Sequence, residues 1–281
     1  MILPFDDLIT ALTPRYGDVE ARSIARIVLE DAFGTKQYTT FQLKETMEIS
    51  EYDRIKTALI NGVPLQYILG VADFFGLKFK VTPAVLIPRQ ETEELVDLII
   101  QYLKKQENSS ARILDIGLGS GCIGITLKRK LPNIELYGIE KSSAALAVAK
   151  ENASQILGNS SLVHFMQADI LTDDFNDLPM FDVIVSNPPY IPRHEMAVMP
   201  AHVLEHEPEL ALFVEGDDPL LFYRAIVLFA QQHLKTGGAL FFECNEFNAR
   251  EVVMLLKENG MTNVVLQKDI GGADRMVMGR R

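Results

Sequence analysis

Residues 113–121 read Ile113-Leu114-Asp115-Ile116-Gly117-Leu118-Gly119-Ser120-Gly121, and this segment is the strongest indication of the fold class. It begins as a mainly apolar run typical of a buried strand, and its alternating glycines then allow a tight turn into a helix. From Ala111 onward, strand-like and helix-like segments alternate along the chain. This alternation predicts an α/β domain with a mostly parallel sheet and helices on both faces.

The predicted elements of this domain extend over residues 91–281. A helix is predicted from Glu91 to about Lys105, ahead of the first strand. Strands are predicted at 112–116, 135–139, 162–166 and 181–186, with helices near 121–130 and 142–157 between the first three. A helix near 218–234, a strand at 238–243, a helix near 247–259 and two closing strands follow. The pattern predicts a seven-stranded, Rossmann-like sheet.

Two smaller regions precede this domain. Residues 1–72 show the apolar spacing of helices and predict a small helical domain, in which Ser50 and Asp53 resemble the N-cap box of one helix. Residues 73–90 predict a connecting β-hairpin. Its strands are expected over 74–81 and 85–87, joined around Thr82-Pro83.

The composition excludes several classes of protein. The chain has 281 residues, is 48% hydrophobic and carries a formal net charge of −11. No apolar stretch approaches the roughly 20 residues that span a bilayer, and acids stand near the N-terminus where a signal peptide carries positive charge. We therefore expect a soluble, cytoplasmic protein without membrane contact. Tight duplex binding depends on Lys and Arg, so direct nucleic-acid binding is not expected.

No metal site is predicted. Cys122 and Cys244 are isolated within apolar sequence, and two separate thiols make neither a disulfide framework nor a metal site. His202 and His206 have the i,i+4 spacing of metal ligands, but prolines bracket them and no carboxylate completes a known pattern.

The glycine loop and the next two strand ends predict a site for an adenosyl ligand. The Asp115 carboxylate precedes the loop, where it can capture an ammonium group and would repel a pyrophosphate. The GxGxG spacing also differs from the GxGxxG of dinucleotide enzymes. Glu140 ends the second strand and can accept hydrogen bonds from ribose hydroxyls. Asp169 ends the third, placed to receive an adenine amino group while Ile170 packs on the ring.

These features predict S-adenosylmethionine as the cofactor and S-adenosylhomocysteine as the product. The predicted cofactor-binding residues are Asp115, Gly117, Leu118, Gly119, Ser120, Gly121, Glu140, Asp169, Ile170 and Asn187.

The tetrapeptide Asn187-Pro188-Pro189-Tyr190 follows the fourth predicted strand. Ligands of open α/β sheets bind at the carboxyl ends of strands. We predict that the Asn187 side-chain oxygen and the Pro188 carbonyl accept the two N–H bonds of a planar NH2 group, while Tyr190 packs on its face. The catalytic residues would then be Asn187, Pro188 and Tyr190, in a reaction on an amide or exocyclic amine nitrogen.

With these motifs the chain resembles the release factor glutamine methyltransferases, which N5-methylate the glutamine of the Gly-Gly-Gln loop in bacterial peptide chain release factors. The resemblance covers nearly the whole chain. Its segments are 64–70 (PLQYILG), 75–76 (FG), 81–89 (VTPAVLIPR), 91–93 (ETE), 113–117 (ILDIG), 186–191 (SNPPYI) and 207–208 (EP). Adenine-N6 DNA methyltransferases share the NPPY tetrapeptide alone, so the combination is far more specific.

The resemblance implies a class I methyltransferase fold and release factors as protein partners, gripped by the N-terminal helical domain. It implies substrate-binding roles for the NPPY residues (Asn187, Pro188, Pro189, Tyr190), Arg89 and Glu207. Arg89 would anchor the substrate loop or the hairpin, or act as a surface ion-pair partner, and Glu207 would be a loop brace or a lid element. We expect a monomer. The chain departs from the usual family residue at Gln90, Glu140, Pro219, Asn245 and Asn248.

Four alternatives remain open from the sequence. The same chemistry could act on a glutamine of a ribosomal protein. Adenine-N6 methylation of DNA or RNA is disfavoured by the negative charge and the lack of an obvious target-recognition domain. A non-catalytic adenosyl-binding module is disfavoured by the intact NPPY, and a nicotinamide oxidoreductase by Asp115 and the loop spacing.

Overall fold

The computed structural model describes residues 3–43, 45–158, 163–193, 196, 201–214, 216 and 218–281, with the side chains of 46 and 201–203 left out. It divides into two compact units. The first comprises Met1–Val71 with Ala201–His206, and the second comprises Ala72–Pro200 with Glu207–Arg281. Within the described ranges, no helix has the length and apolarity that crossing a membrane requires.

The elements follow one another in this order: α1 (Pro4–Ile27), a π-helical turn (Val28–Ala32), α2 (Thr46–Ile60), α3 (Leu65–Leu69), β1 (Val71–Phe74), β2 (Leu77–Lys80), α4 (Gln90–Lys105), β3 (Arg112–Ile116), α5 (Cys122–Lys130), β4 (Glu135–Glu140), α6 (Ser143–Leu157), β5 (Val163–Gln167), β6 (Phe181–Ser186), β7 (Ile191–Pro192), α7 (Ala201–His206), α8 (Glu209–Leu212), β8 (Phe213–Val214), α9 (Leu221–His233), β9 (Leu234–Glu243), α10 (Ala249–Glu258), β10 (Thr262–Lys268) and β11 (Asp274–Arg280).

The first unit is helical and has its own core, in which Leu8, Leu12, Val28 and Ile55 have no exposed surface. The N-cap box predicted at Ser50 is wrong, because α2 begins four residues earlier at Thr46. There the Glu48 side chain accepts the Glu45 backbone N–H at 3.3 Å, so a Glu–Glu pair caps the helix instead.

The second unit contains a seven-stranded sheet with the order β10-β11-β9-β6-β3-β4-β5, which confirms the predicted fold class. The five strands from β9 to β5 run parallel, while β11 is antiparallel to both β9 and β10. The chain passes from β3 to β4 and β5 on one side and then returns to β6 on the other. The carboxyl ends of β3 and β6 therefore flank the point where ligands bind in sheets of this kind.

Apolar cores cover both faces of the sheet. Along β6, Val183 and Val185 point into one core with α4, and Ile184 points into the other with α9 and α10. All three have no exposed surface. Burial on both faces explains why the central strands read as continuous apolar runs rather than as alternating ones.

The hairpin lies earlier in the chain than predicted. Its strands are β1 and β2, joined by Phe75 and Gly76, which both adopt positive φ (52° and 74°) as a tight two-residue turn requires. The second strand predicted at 85–87 is wrong. Val85 and Ile87 are buried, but the Val85 N–H bonds Thr82 O in a turn, and the flanking prolines lack the N–H that a strand needs.

Candidate active site

The glycine loop after β3 is fastened to the end of β4. The N–H groups of Gly117 and Leu118 both donate to Ile139 O, at 2.9 and 3.1 Å, and the Gly119 N–H donates to the Glu140 carboxylate at 2.8 Å. Gly119 has a φ of +54°, and a Cβ built there would meet no atom within 4 Å. The backbone at Gly119 is therefore held in place while the space beside it stays open.

Asp115 lies at the end of β3 with only 1% of its surface exposed. Its Oδ2 accepts the Gly124 N–H at 2.9 Å, whereas its buried Oδ1 has no hydrogen-bond partner within the described part of the chain. Burial raises the pKa of Asp115 to about 8, against the lowering effect of the Gly124 N–H, and the nearby Glu140 carboxylate raises it further. One oxygen of this carboxyl is thus free to accept a donor.

Glu140 ends β4 and is 9% exposed. Its two oxygens accept the N–H groups of Gly119 and Ser142, each at 2.8 Å. A carboxylate oxygen accepts more than one hydrogen bond, so both oxygens keep capacity for further donors such as hydroxyl groups. The backbone therefore fixes the carboxylate without saturating it.

Asp169 and Ile170 follow β5. Asp169 Oδ1 accepts the Leu171 N–H at 3.0 Å, and Oδ2 pairs with Lys141 Nζ at 2.9 Å. Burial acts to raise the pKa of Asp169, but the hydrogen bonds from Leu171 and Lys141 outweigh it and lower the pKa below its usual value. Lys141 was not among the residues predicted from the sequence, although it directly follows Glu140.

The NPPY residues follow β6. The Ser186 hydroxyl donates to Ile116 O at 2.7 Å and so ties the end of β6 to the start of the glycine loop. Asn187 is half-buried, and Tyr190 packs against the core beneath α9. Burial raises the pKa of Tyr190 to about 12, helped by the charge of Glu243, so its phenol is neutral at physiological pH.

These strand ends enclose a cavity of about 280 Å³ within the second unit. The predicted site residues in its wall are Gly117, Leu118, Gly119, Ser120, Glu140, Asp169, Ile170, Asn187, Pro188, Pro189 and Arg89. Asp115 and Tyr190 are outside this wall: Asp115 is buried next to Ile116, and the half-buried Tyr190 follows Pro189. No cluster of His, Cys, Asp or Glu able to hold a metal ion occurs among the described residues, and the side chain of His202 lies outside them.

The sequence of this chain is similar to those of known proteins. The methyltransferase small domain family matches residues 79–217. A release factor glutamine methyltransferase of Flavobacterium psychrophilum is 42% identical over 96% of this chain and 95% of its own length. That of Bacteroides thetaiotaomicron is 37% identical over 95% of each. The chain belongs to the release factor glutamine methyltransferase family. This membership confirms the resemblance that the motifs indicated.

A solved structure supports the fold of this methyltransferase. The hMettl16 catalytic domain, in complex with the MAT2A 3′UTR hairpin 1, superposes with a TM-score of 0.59 over 84% of this chain and 80% of that one. Only 18% of the aligned residues are identical, so the likeness concerns the fold alone.

One more acid, which the sequence did not predict, lies at the edge of the sheet that carries the methyltransferase site. Glu243 ends β9 and is 4% exposed, and its Oε2 accepts the Thr92 hydroxyl at 2.7 Å. Burial raises the pKa of Glu243 to about 7. Its only signal in the sequence is an acid at the end of an apolar strand, the same pattern that identified Glu140.

Arg89 and Glu207 form an ion pair. The Glu207 side chain is 1% exposed, while Arg89 keeps 40% of its side chain exposed. Glu207 Oε2 is buried and lacks a hydrogen-bond partner within the described ranges. The pair joins the segment before α4 to the segment before α8, 118 residues further along the chain.

Proposed function

We propose that this methyltransferase transfers a methyl group from S-adenosylmethionine to the side-chain amide nitrogen (N5) of the glutamine in the Gly-Gly-Gln motif of peptide chain release factors. The observation that carries the proposal is the position of Asn187, Pro188 and Pro189 in the wall of the same cavity as the glycine loop and Glu140. The names of the related proteins point to the same substrate. Such a modification would support translation termination.

The residues of the cavity fit S-adenosylmethionine. We assign the ribose hydroxyls to Glu140, whose oxygens keep acceptor capacity, and the adenine to Asp169 and Ile170. The buried and unpartnered Oδ1 of Asp115 suits the amino group of the methionine part. When bound, the cofactor supplies an electrophilic methyl group.

The amide nitrogen needs help from the protein because its lone pair is delocalised into the carbonyl. The rotation barrier of about 18–20 kcal/mol for a peptide amide shows the strength of this delocalisation. The Asn187 oxygen and the Pro188 carbonyl accept the two N–H bonds of the glutamine, which orients the nitrogen and stabilises the positive charge that develops on it. Tyr190 packs against the amide plane as a neutral phenol.

Proton removal requires no strong base at the NPPY segment. Positive charge on an N-alkylated amide makes its N–H strongly acidic, so the proton passes to water after the methyl group is transferred. With a pKa of about 12, Tyr190 is not a base at neutral pH. The protein therefore acts by orientation and charge stabilisation rather than by deprotonating the nucleophile.

The helical unit is assigned to recognition of the release factor, and Arg89 to anchoring of the substrate loop. Removal of residues 1–72 is expected to reduce transfer to the intact release factor strongly. It should leave binding of S-adenosylmethionine within about twofold, because every wall of the cavity belongs to the second unit. Full activity of the truncated enzyme would contradict this role.

Incubation of the enzyme with S-adenosylmethionine and an unmethylated release factor tests the proposal, with the Gly-Gly-Gln peptide read by mass spectrometry. We expect one added methyl group on that glutamine. Asn187→Ala should lower kcat by about a hundredfold or more, as for the loss of a charge-stabilising group. The exposed Asn133→Ala serves as a matched control with unchanged activity.

Two outcomes would contradict the proposal. Equal loss of turnover and cofactor affinity in Asn187→Ala, or no loss of either, would remove the role assigned to Asn187. Absence of transfer by a wild-type enzyme that still binds S-adenosylmethionine would redirect the search to ribosomal proteins, and then to nucleic acids.

A further inference from the structure

Glu243 and Asn187 lie next to each other at the same edge of the sheet. Glu243 is the last residue of β9 and Asn187 directly follows the neighbouring parallel strand β6, and the register of these strands pairs Ser186 with Phe242. The next residue of each strand is therefore at the same level of the sheet, on the edge where the cavity lies. Glu243 is 4% exposed, and a carboxyl group buried to this degree requires hydrogen-bond donors.

Thr92 supplies one donor, and Asn187 is placed to supply another. The Thr92 hydroxyl donates to Oε2 at 2.7 Å, and the Asn187 side chain lies close enough to the same carboxyl group to lower its pKa, as a hydrogen-bond donor does. An ionised carboxylate only accepts, whereas the asparagine amide has an NH2 donor at one end and an oxygen acceptor at the other. A hydrogen bond between them therefore uses the NH2 group of Asn187 and leaves its oxygen available for another donor.

We propose that Glu243 is a positioning residue, which holds the NH2 group of Asn187 so that the Asn187 oxygen accepts an N–H of the substrate amide. Glu243 itself does not touch the substrate. Thr92, which lies on α4, holds the Glu243 carboxylate in place, and the Asn187 oxygen faces the cavity. The inference rests on the role that the proposed function gives to Asn187.

The protonation state of Glu243 adds a measurable signature. Burial raises its pKa to about 7, and Glu91 on α4 acts in the same direction, while Thr92, Arg275 on β11 and Asn187 lower it. Tyr190 and Cys244 lie close enough to be affected by its charge. The protonated carboxyl gains an O–H donor that can bond the Asn187 oxygen and so favours the flipped amide. Turnover should therefore fall as the pH drops below about 7.

A double-mutant cycle tests the inference. We expect Glu243→Gln to lower kcat on the release factor by about tenfold to a hundredfold, the size of loss typical of a misplaced reacting group. Cofactor affinity should stay within about twofold, and the fall in turnover below pH 7 should disappear. In the Asn187→Ala background, Glu243→Gln should change kcat by less than about twofold, since residues that act as a unit are not additive.

Glu246→Gln is the matched control, because Glu246 is exposed and only three residues away. It should retain wild-type kcat and the wild-type pH profile. An equal loss from Glu243→Gln in both backgrounds would show that Glu243 acts independently of Asn187 and would overturn the inference. If Glu243→Gln fails to fold, Glu243→Asp, which shortens the side chain but keeps its charge, takes its place in the cycle.

A second measurement needs no release factor and therefore separates this inference from the proposed function. In enzyme labelled with 15N-asparagine, the NH2 signal of Asn187 is identified by its loss in Asn187→Ala. We expect slow hydrogen exchange of this signal in the wild type and fast exchange in Glu243→Gln. Fast exchange in both would overturn the inference. If the release factor is not methylated but the Asn187 NH2 signal of the wild type exchanges slowly, the proposed function is overturned and the contact between Glu243 and Asn187 is established.

Discussion

Asn152→Ala removes a buried side chain that ties three segments of the second unit together. Asn152 lies on α6 without any exposed surface. Its Oδ1 accepts the Lys80 N–H at 2.7 Å, and its NH2 group donates to Lys80 O at 3.0 Å and to Ser120 O at 2.9 Å. One side chain therefore connects the hairpin strand β2, the helix α6 and the glycine loop.

The loss of stability follows from these three bonds. Each hydrogen bond contributes about 1 kcal/mol net, and a buried partner left unsatisfied costs about 1–3 kcal/mol. Asn152→Ala leaves one N–H and two carbonyl groups without this partner, so the free energy of unfolding should fall by about 3–5 kcal/mol. At about 2–4 °C per kcal/mol for a unit of this size, Tm should fall by about 10 °C.

Thermal unfolding followed by far-UV circular dichroism measures this change, since the chain has no Trp for fluorescence. The exposed Asn133→Ala should shift the free energy of unfolding by no more than about 0.5 kcal/mol. S-adenosylmethionine should also bind Asn152→Ala more weakly, because Ser120 belongs to the cavity wall. A fall in Tm no larger than that of the control would show that the three hydrogen bonds of Asn152 do not stabilise the second unit.

Three further substitutions follow from the site. Asp115→Asn should raise the free energy of unfolding by several kcal/mol at pH 8 and weaken S-adenosylmethionine binding. The pKa of Asp115 is about 8 in the folded state against an ordinary value of 3.8, so the folded wild type keeps a proton that the unfolded chain releases, and its stability falls between these pH values. In urea unfolding, the free energy of unfolding of the wild type should be lower at pH 8 than at pH 5, and this difference should be smaller for the variant. Equal differences for the two proteins would contradict the effect of burial on Asp115. Glu140→Ala should weaken S-adenosylmethionine binding by about tenfold to a hundredfold in calorimetry, since hydrogen bonds to a charged group are worth about 1.5–3 kcal/mol each; unchanged affinity would remove Glu140 from the ribose site. Arg89→Met should lower the free energy of unfolding, measured in urea, by about 2 kcal/mol, because it leaves the buried Glu207 carboxyl without its cation. The loss is smaller than for a fully buried pair because Arg89 is partly exposed. The exposed pair of Arg193 and Glu209 gives the control, in which Arg193→Met should lower the free energy of unfolding by less than about 1 kcal/mol. Equal losses for the two variants would show that the burial of Glu207 does not matter.

The sheet could be predicted from the sequence because its strands are marked locally. β6 matches its predicted bounds of 181–186, and β3 matches 112–116, since runs of β-branched residues between turn signals identify buried parallel strands. The hairpin could not be placed with the same rule. Val85 and Ile87 are as apolar as strand residues, but their burial comes from packing of an irregular, proline-bounded segment, which periodicity does not distinguish from a strand.

The candidate site was predictable where a residue and its partner are close in the sequence. The glycine loop and Glu140 could be paired because the end of the second strand follows the first loop by about 20 residues. Glu243 could not be placed, since its donor Thr92 lies 151 residues away and the contact exists only once β9 is beside β6. Likewise, the raised pKa of Asp115 depends on its burial, which the position before the loop does not reveal.

The hydrogen bonds among these strand ends imply that the cavity is formed before any ligand enters. Ser186 binds Ile116 O, the loop N–H groups bind Ile139 O, and Glu140 is held by two backbone donors. Some of these bonds join neighbouring strands, and the others join the end of a strand to the loop that follows. The sheet itself therefore sets the spacing of the polar groups. Ligand binding then avoids the entropy cost of ordering the loop. Substitutions that loosen these ties should therefore act on affinity even where the residue touches no ligand.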